Sequence, residues 1–129
     1  MDARCIFKTP VNEIRCTMRV AVIGASGFIG SSLCSALELS GHTVLAFVRP
    51  SRIQGFQKNK GVVLIDDAGP QERWHELIKD IDIVIYLASP KPIEKPNSFQ
   101  SQEYDRVIVG GATAVAEASA AAGVKRMIF

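Results

Sequence analysis

Three glycines at three-residue spacing form the pattern in this sequence that best supports a chemical role. Gly24, Gly27 and Gly30 stand in the run Gly-Ala-Ser-Gly-Phe-Ile-Gly. The first allows a sharp reversal with positive φ, the second lets a pyrophosphate approach the backbone, and the third lets the following helix pack closely. Free N–H groups at a helix N-terminus attract phosphate oxygens. The run predicts a dinucleotide-phosphate site, with a purely structural turn as the alternative; its residues are Gly24, Ala25, Ser26, Gly27, Phe28, Ile29 and Gly30.

The segments on either side of the glycines have the patterns that such a site requires. Residues 20–23 are apolar and mostly β-branched without polar alternation, which predicts a strand buried on both faces of a parallel sheet. Apolar residues at positions 33, 36, 37 and 39 predict one face of a helix over residues 28–40, ended by Gly41. Strand, glycine turn and helix in this order favour nucleotide binding over a glycine-rich structural turn.

Arg49 follows the second predicted strand, residues 43–48. Sites that prefer NAD usually carry an Asp or Glu at this point, which binds the ribose hydroxyls. A guanidinium group instead binds phosphate through paired hydrogen bonds and can stack on adenine. The sequence therefore favours NADP over NAD as the cofactor, with Arg49 on the 2′-phosphate or adenine and Ser51 or Arg52 assisting. A solvated loop arginine is the alternative.

Asp66 and Asp67 directly follow the third predicted strand, residues 62–65. A carboxylate at this place can accept a hydrogen bond from the adenine amino group. An N-cap or Asx turn ahead of the next helix, predicted to begin at Pro70, is an equally good interpretation.

Residues 82–89 predict a fourth buried strand, whose carboxyl end is expected beside the glycine turn. The small residues among Leu87, Ala88 and Ser89 would leave room there for the nicotinamide ribose. A helix over residues 103–122, stopped by Gly123, and a fifth strand from Lys125 complete the pattern. The predicted fold is α/β, a Rossmann-type doubly wound parallel sheet with strand order 3-2-1-4-5, truncated after the fifth strand.

Length and charge limit the remaining possibilities. The 129 residues allow one domain, predicted over residues 18–129, with residues 1–17 as an extension. This extension is either a start-site artefact, with Met18 as the true first residue, or a partly ordered arm. A net charge of +2 and the absence of a long apolar run favour neither nucleic acid nor membrane as a partner, and a cytoplasmic location is expected. Three cysteines without C-x-x-C spacing predict neither a metal site nor a disulfide.

The chain resembles the N-terminal part of an extended or atypical short-chain dehydrogenase/reductase, the group that includes NAD-dependent epimerases and dehydratases. The glycine turn, the strand that ends in Tyr86-Leu87-Ala88 and the step over residues 122–126 carry the resemblance. It implies that the glycine turn binds pyrophosphate, that Asp66, with Asp67 beside it, contacts adenine, and that residues 87–89 line the nicotinamide side. A homodimer of the kind formed in that family would use the long helix.

The sequence also departs from that family at the residues that perform catalysis. The family's Tyr-x-x-x-Lys is absent, because Pro90 stands four residues after Tyr86 and Ile108 four after Tyr104. Ile108 also stands where the family often has Asn, by register with Gly111. Hydride transfer needs a base whose pKa is lowered, so no catalytic residue is predicted in this chain.

Together these observations predict an NAD(P)-binding domain of an oxidoreductase, epimerase or dehydratase whose catalytic part lies outside this chain. A small-molecule substrate is expected only where that part is present. The alternative is a non-catalytic, redox-sensing module that binds a dinucleotide.

Overall fold

The structure is a computed structural model that describes residues 5–7, 14–56, 61–90 and 97–129. Two short strands come first, β1 (Cys5–Phe7) and β2 (Ile14–Cys16), and they pair antiparallel. They lie in the predicted extension, whose sequence has no regular alternation. Cys16 takes part in a disulfide, so the expectation that no cysteine does so is wrong at this position.

The main sheet has five parallel strands. They are β3 (Arg19–Ile23), β4 (Thr43–Val48), β5 (Val62–Leu64), β6 (Ile83–Tyr86) and β7 (Arg126–Ile128). Their spatial order, β5-β4-β3-β6-β7, is the predicted 3-2-1-4-5 order. The last four residues of β3 are buried, as expected for a central strand covered on both faces. The predicted Rossmann-type α/β fold is confirmed.

The helices connect these strands and cover both faces of the sheet. They are α1 (Phe28–Leu39), a 3₁₀ helix (Pro50–Gly55), α2 (Trp74–Leu77), α3 (Ser98–Asp105) and α4 (Ala112–Ala121). A π-helical turn (Arg106–Gly111) joins α3 to α4. We call the resulting continuous segment, residues 98–121, the long helix. It begins before the predicted residue 103, whereas α2 begins at Trp74 rather than at Pro70.

Glycines end α1 and the long helix as predicted. Gly41 and Gly123 have φ angles of +87° and +73°, and in both cases the following N–H reaches back to the last helical turn. The His42 N–H donates to the Leu37 carbonyl at 3.0 Å, and the Val124 N–H donates to the Ser119 carbonyl at 3.0 Å. This pairing satisfies carbonyl groups that the helix itself cannot.

Apolar side chains pack on both faces of the sheet. On one face Phe47 and Trp74 are in contact, with ring centroids 6.1 Å apart, and Ile78 and Val115 are fully buried beside them. On the other face Cys34 of α1 packs with small residues of β3 and β4. In the described ranges, no helix is long and apolar enough to cross a membrane, and no group of side chains could hold a metal ion.

Candidate functional site

Gly24 begins the turn between β3 and α1 and allows this turn to pack closely against β6. Its φ is +88°, a conformation that favours glycine. A Cβ at this position would lie 2.7 Å from the Ala88 backbone nitrogen and 2.8 Å from the Leu87 carbonyl carbon. The turn therefore lies directly against the carboxyl end of β6, because no larger residue fits between the two backbones.

Gly27 stands at the N-cap of α1, where the helix has free N–H groups. Its backbone angles, φ −73° and ψ 173°, are open to any residue, and a Cβ would approach the Gly24 carbonyl oxygen at 3.3 Å. No side chain caps α1, and its first turn contains no acidic residue. By contrast, Asn97 and Gln100 cap α3 through reciprocal hydrogen bonds of 2.9 Å. The exposed Gly27 thus leaves the positive end of α1 accessible to an anion.

The other residues of the turn divide into buried and exposed ones. Ala25 is fully buried, and its N–H donates to the Phe47 carbonyl at 3.4 Å, so this residue has a structural role in the turn. Gly30 is also buried, and a Cβ there would overlap the Gly24 carbonyl. Ser26 is half-buried, whereas Phe28 and Ile29 are 95% and 65% exposed.

Hydrogen bonds bring the ends of four strands to the same edge of the sheet. The Leu87 N–H donates to the Ile23 carbonyl at 2.7 Å, and the Ile65 N–H donates to the Val48 carbonyl at 3.1 Å. Arg49, the residue after β4, therefore lies beside the point where β3 ends and the glycine turn begins. Its side chain is exposed, as are Ser51 and Arg52 in the 3₁₀ helix that follows.

The carboxyl end of β6 offers a small surface. Leu87 and Ala88 are half-buried and pack against the apolar clusters on opposite faces of the sheet. Ser89 is exposed, and its hydroxyl donates to the Pro90 carbonyl at 3.2 Å. The predicted nicotinamide side is thus bordered by one leucine, one alanine and one hydroxyl.

The two aspartates after β5 differ in their surroundings. Asp66 is exposed, and among the residues that the structure describes none pairs with its carboxylate. Its backbone N–H donates to Glu72 Oε1 at 3.2 Å. The carboxylate of Asp67 is half-buried and pairs with Arg106. Neither aspartate is the N-cap of α2, which is Arg73, so the N-cap interpretation is wrong, whereas the Asx turn stays a prediction.

Arg106 is a residue that the sequence interpretation did not identify. It is the first residue of the π-helical turn, and its guanidinium contacts Glu103 and Gln71 as well as Asp67. The hydrogen bonds to Glu103 and then to Asp67 hold the pKa of Arg106 above its ordinary value. The spacing of Glu103 and Arg106 suggests a helical pair. The contact with Asp67, 39 residues away, leaves no local signal.

Tyr86 was likewise not assigned a role from the sequence. Its ring is buried at the end of β6, and its hydroxyl lies 2.9 Å from the Ala68 carbonyl oxygen and 2.7 Å from that of Val107. Burial, together with the charge of Asp67, raises the pKa of Tyr86 to about 12. The sequence could have indicated a structural role for this residue, because the hydroxyl of a tyrosine in a buried strand requires a hydrogen-bond partner.

The free thiol in the described part of the chain is not suited to catalysis. Cys34 is buried in α1, and desolvation together with the charge of Glu38 raises its pKa to about 11. Such a thiol stays protonated near neutral pH and is a poor nucleophile.

Comparison with known proteins identifies related sequences. The sequence model of the NAD dependent epimerase/dehydratase family matches residues 20–129. The chain is 31% identical to the sterol-4-alpha-carboxylate 3-dehydrogenase, decarboxylating, of Mus musculus, over 92% of this chain and 31% of that protein. It is 32% identical to the ceramide reductase of Caulobacter vibrioides, over 82% of this chain and 32% of that protein. The chain thus spans about a third of the length of these relatives.

Solved structures share the fold. MoeE5 in complex with UDP-glucuronic acid and NAD superposes with a TM-score of 0.68 at 33% identity, over 84% of this chain and 35% of that chain. An epimerase from Methanothermobacter thermautotrophicus has a TM-score of 0.73 at 22% identity, over 86% of this chain and 34% of that chain, and shows likeness of fold alone.

Proposed function

Because this chain belongs to the NAD-dependent epimerase/dehydratase family, we propose that it binds a nicotinamide dinucleotide at the carboxyl edge of its sheet. The observation that carries this proposal is the uncapped N-terminus of α1 behind the exposed Gly27. The first turn of α1 donates its N–H groups to the pyrophosphate, with the helix dipole adding to the attraction. When bound, the dinucleotide supplies the hydride chemistry, and the chain positions it.

The remaining residues of the edge take the other parts of the cofactor. The pyrophosphate lies along residues 24–30, where Ser26 adds a hydroxyl donor. Asp66 accepts a hydrogen bond from the adenine amino group, for which its exposed carboxylate is suited. Leu87, Ala88 and Ser89 border the nicotinamide ribose, and the close approach of Gly24 to Leu87 and Ala88 supports this assignment.

Substitutions at Gly27 test this proposal without disturbing the fold. Its backbone conformation suits Asp and Asn, which are both good N-cap residues, and the capping gain is expected to offset the 3.3 Å approach of the new Cβ to the Gly24 carbonyl oxygen, so each variant should fold with stability close to that of the unsubstituted chain. Gly27→Asp would place a negative charge where the pyrophosphate binds and raise the dissociation constant for NAD(H) and NADP(H) at least about 100-fold.

Gly27→Asn is the matched control, since it has the same size and capping ability without the charge. It is expected to weaken binding less than Gly27→Asp in the same calorimetric titration. Equal affinity of Gly27→Asp and the unsubstituted chain, with both folded, would contradict a pyrophosphate site at this helix.

We further propose that the preferred cofactor is NADP, with NAD as the alternative. The support is Arg49, exposed at the end of β4 where a carboxylate would favour NAD. Arg49→Ala is expected to weaken NADPH binding about tenfold and NADH binding much less, because only NADPH carries the 2′-phosphate. Arg126→Ala removes the same charge at the opposite end of the sheet and serves as the control. Equal losses for the two nucleotides would contradict the assignment.

For the whole protein we propose oxidation or reduction of a small-molecule substrate. The curated relatives named above are a dehydrogenase and a reductase. This chain by itself is expected to bind the cofactor without turnover, because its sequence lacks Tyr-x-x-x-Lys. Steady NADPH oxidation by this chain with carbonyl substrates, followed at 340 nm, would contradict that expectation.

We also propose that two copies associate through the long helix. Tyr104 and Val109 on this helix are 47% and 61% exposed. Val109→Glu is expected to shift the mass measured by light scattering toward the monomer. Leu39→Glu, at an exposed position of α1, is the control and should leave the mass unchanged.

A further inference from the structure

The loop between β5 and α2, residues 65–73, is held at three successive residues, by the long helix, by β6 and by α2. We call it the β5–α2 loop. The Asp67 carboxylate pairs with Arg106, and the Ala68 carbonyl accepts the Tyr86 hydroxyl at 2.9 Å. The next carbonyl, that of Gly69, accepts the Trp74 indole N–H at 2.9 Å. A loop held at each of three successive residues has little freedom left to lose when a ligand binds.

The guanidinium of Arg106 makes the contact between this loop and the long helix specific. Its Nη1 donates to Gln71 Oε1 at 3.1 Å, and its Nη2 donates to Asp67 Oδ2. Glu103, one turn earlier on the helix, accepts from Nε at 3.0 Å and so fixes the plane of the guanidinium. Three acceptors in different directions require the planar fork of arginine, which a lysine ammonium cannot reproduce.

The π-helical turn brings the long helix close enough for these contacts. Gly111 has no room for a Cβ, because Ala68 O and the Tyr86 hydroxyl occupy that space. A Cβ on Gly110 would lie 3.3 Å from Pro70 Cγ. The loop thus packs on the two glycines of the turn, while Arg106 at its start holds the loop from the side.

We infer that Asp67 and Arg106 are positioning residues that hold the β5–α2 loop in the conformation that binds adenine, and that the contact with adenine itself belongs to Asp66. The inference rests on the proposed dinucleotide site and deepens it. Asp66 is adjacent to the anchored residue and has an exposed carboxylate, whereas the Asp67 carboxylate is engaged by Arg106. A loop ordered before binding gains affinity because less conformational entropy is lost.

Nucleotide fragments separate this role from general stabilisation of the fold. Arg106→Gln is expected to raise the dissociation constant for ADP about tenfold, because the loop that binds adenine is no longer held by the guanidinium. Nicotinamide mononucleotide, which has no adenine, should bind as before. The ADP affinity of Arg106→Lys should lie between those of Arg106→Gln and the unsubstituted chain. Glu76→Gln, which weakens the exposed pair between Arg73 and α2, should leave the affinities for ADP and nicotinamide mononucleotide unchanged.

A double-mutant cycle tests whether Asp67 and Arg106 act as a pair. Asp67→Asn alone should lower the affinity for ADP to a similar extent. The double variant should bind ADP with the same affinity as either single variant. If Asp67 instead touched adenine directly, Arg106→Gln would release its carboxylate and leave ADP affinity unchanged or higher. That result, or an equal loss of affinity for ADP and for nicotinamide mononucleotide, would overturn the inference.

Hydrogen exchange in the absence of nucleotide provides a readout that does not depend on the proposed function. Amides of residues 66–69 and 71 are expected to exchange faster in Arg106→Gln and in Asp67→Asn than in the unsubstituted chain, while those of β3 stay protected. Unchanged exchange in the loop would overturn its anchoring by this pair. If the unsubstituted chain bound no ADP, the proposed function would fail and the adenine role with it, and the exchange experiment would still decide whether the pair orders the loop.

Discussion

At the scale of single residues, Gly24 combines two demands that can be separated by experiment. Its φ is positive, and a Cβ would meet the backbone of Leu87 and Ala88 within 2.9 Å. Gly41 has almost the same φ, but nothing lies within 4 Å of its Cβ position. Gly41→Ala is therefore expected to cost about 1 kcal/mol in the free energy of unfolding, from backbone strain alone.

Gly24→Ala is expected to cost about 3 kcal/mol or more, since the same strain is joined by overlap with β6. Urea unfolding of the two variants gives the comparison directly. Equal losses of stability would mean that the glycine turn does not pack tightly against β6. Leu87 and Ala88 would then not lie next to the turn that is proposed to bind the pyrophosphate.

Tyr86 gives the molecule a predictable response to alkaline pH. The hydroxyl has an ordinary pKa of 10.0 in the unfolded chain and about 12 in the folded one, so the folded state keeps the proton longer. This contribution to stability is complete below pH 10 and is lost as the pH rises toward 12. Tyr86→Phe should lower stability by about 1–2 kcal/mol near neutral pH, because the buried carbonyls of Ala68 and Val107 lose the one hydroxyl proton that they share.

The difference in stability between Tyr86→Phe and the unsubstituted chain should therefore narrow above pH 10. Tyr104→Phe, at an exposed position, is the control and should keep the full alkaline decrease. Denaturant unfolding at several pH values measures both. A gap between the curves that stays constant with pH would contradict a shifted tyrosine at this position.

Residues whose role is a local backbone constraint could be recognised from the sequence, whereas those with distant partners could not. Gly41 and Gly123 were predicted to end helices and do so, because a positive φ is a property of the residue itself. Asp67 was placed beside the adenine, yet the fold pairs it with Arg106 across 39 residues. The roles assigned to the glycine turn, Arg49 and Asp66 remain predictions.

At the scale of elements, the sequence predicted the strands and their order better than the helix boundaries. β4 spans the predicted residues 43–48, since a buried parallel strand is an apolar run with sharp limits. The long helix instead begins at Ser98, where a polar segment without any buried residue becomes helical. Its π-helical turn also escaped prediction, and two glycines of this turn, Gly110 and Gly111, pack against the β5–α2 loop.

The start of the long helix is expected to depend on its cap rather than on packing. No residue of α3 is buried, and Asn97 with Gln100 supplies the reciprocal hydrogen bonds at its N-terminus. Asn97→Ala should cost about 1 kcal/mol, seen as faster amide exchange in α3 while α4 stays protected. Ser101→Ala, at an exposed position within α3, should not accelerate exchange. Faster exchange along the entire long helix would show that α3 and α4 unfold together.

At the scale of the whole molecule, the two ends of the sheet differ in the exposure of their polar groups. The carboxyl end gathers the glycine turn, Arg49 and Asp66, whose polar groups are exposed and available to a ligand. The amino end is held together by Asp82, which is 5% exposed. Its Oδ2 accepts the Arg19 N–H at 2.8 Å and its Oδ1 pairs with Lys125 Nζ at 3.2 Å, so one carboxylate connects β3, β6 and the start of β7.

Substitutions at this amino end should change stability and leave nucleotide affinity unchanged. Asp82→Ala is expected to cost about 2–3 kcal/mol, because the Arg19 N–H loses its charged acceptor. Asp82→Asn keeps an acceptor oxygen and should cost less, and Lys125→Ala should cost under about 1 kcal/mol, since Lys125 is largely exposed. Urea unfolding measures the free energy of unfolding of the three variants, and titration calorimetry measures their dissociation constants for NADPH. Since β6 lies between Asp82 and the glycine turn, loss of affinity in a folded Asp82→Asn variant would mean that the two ends of the sheet are coupled rather than independent.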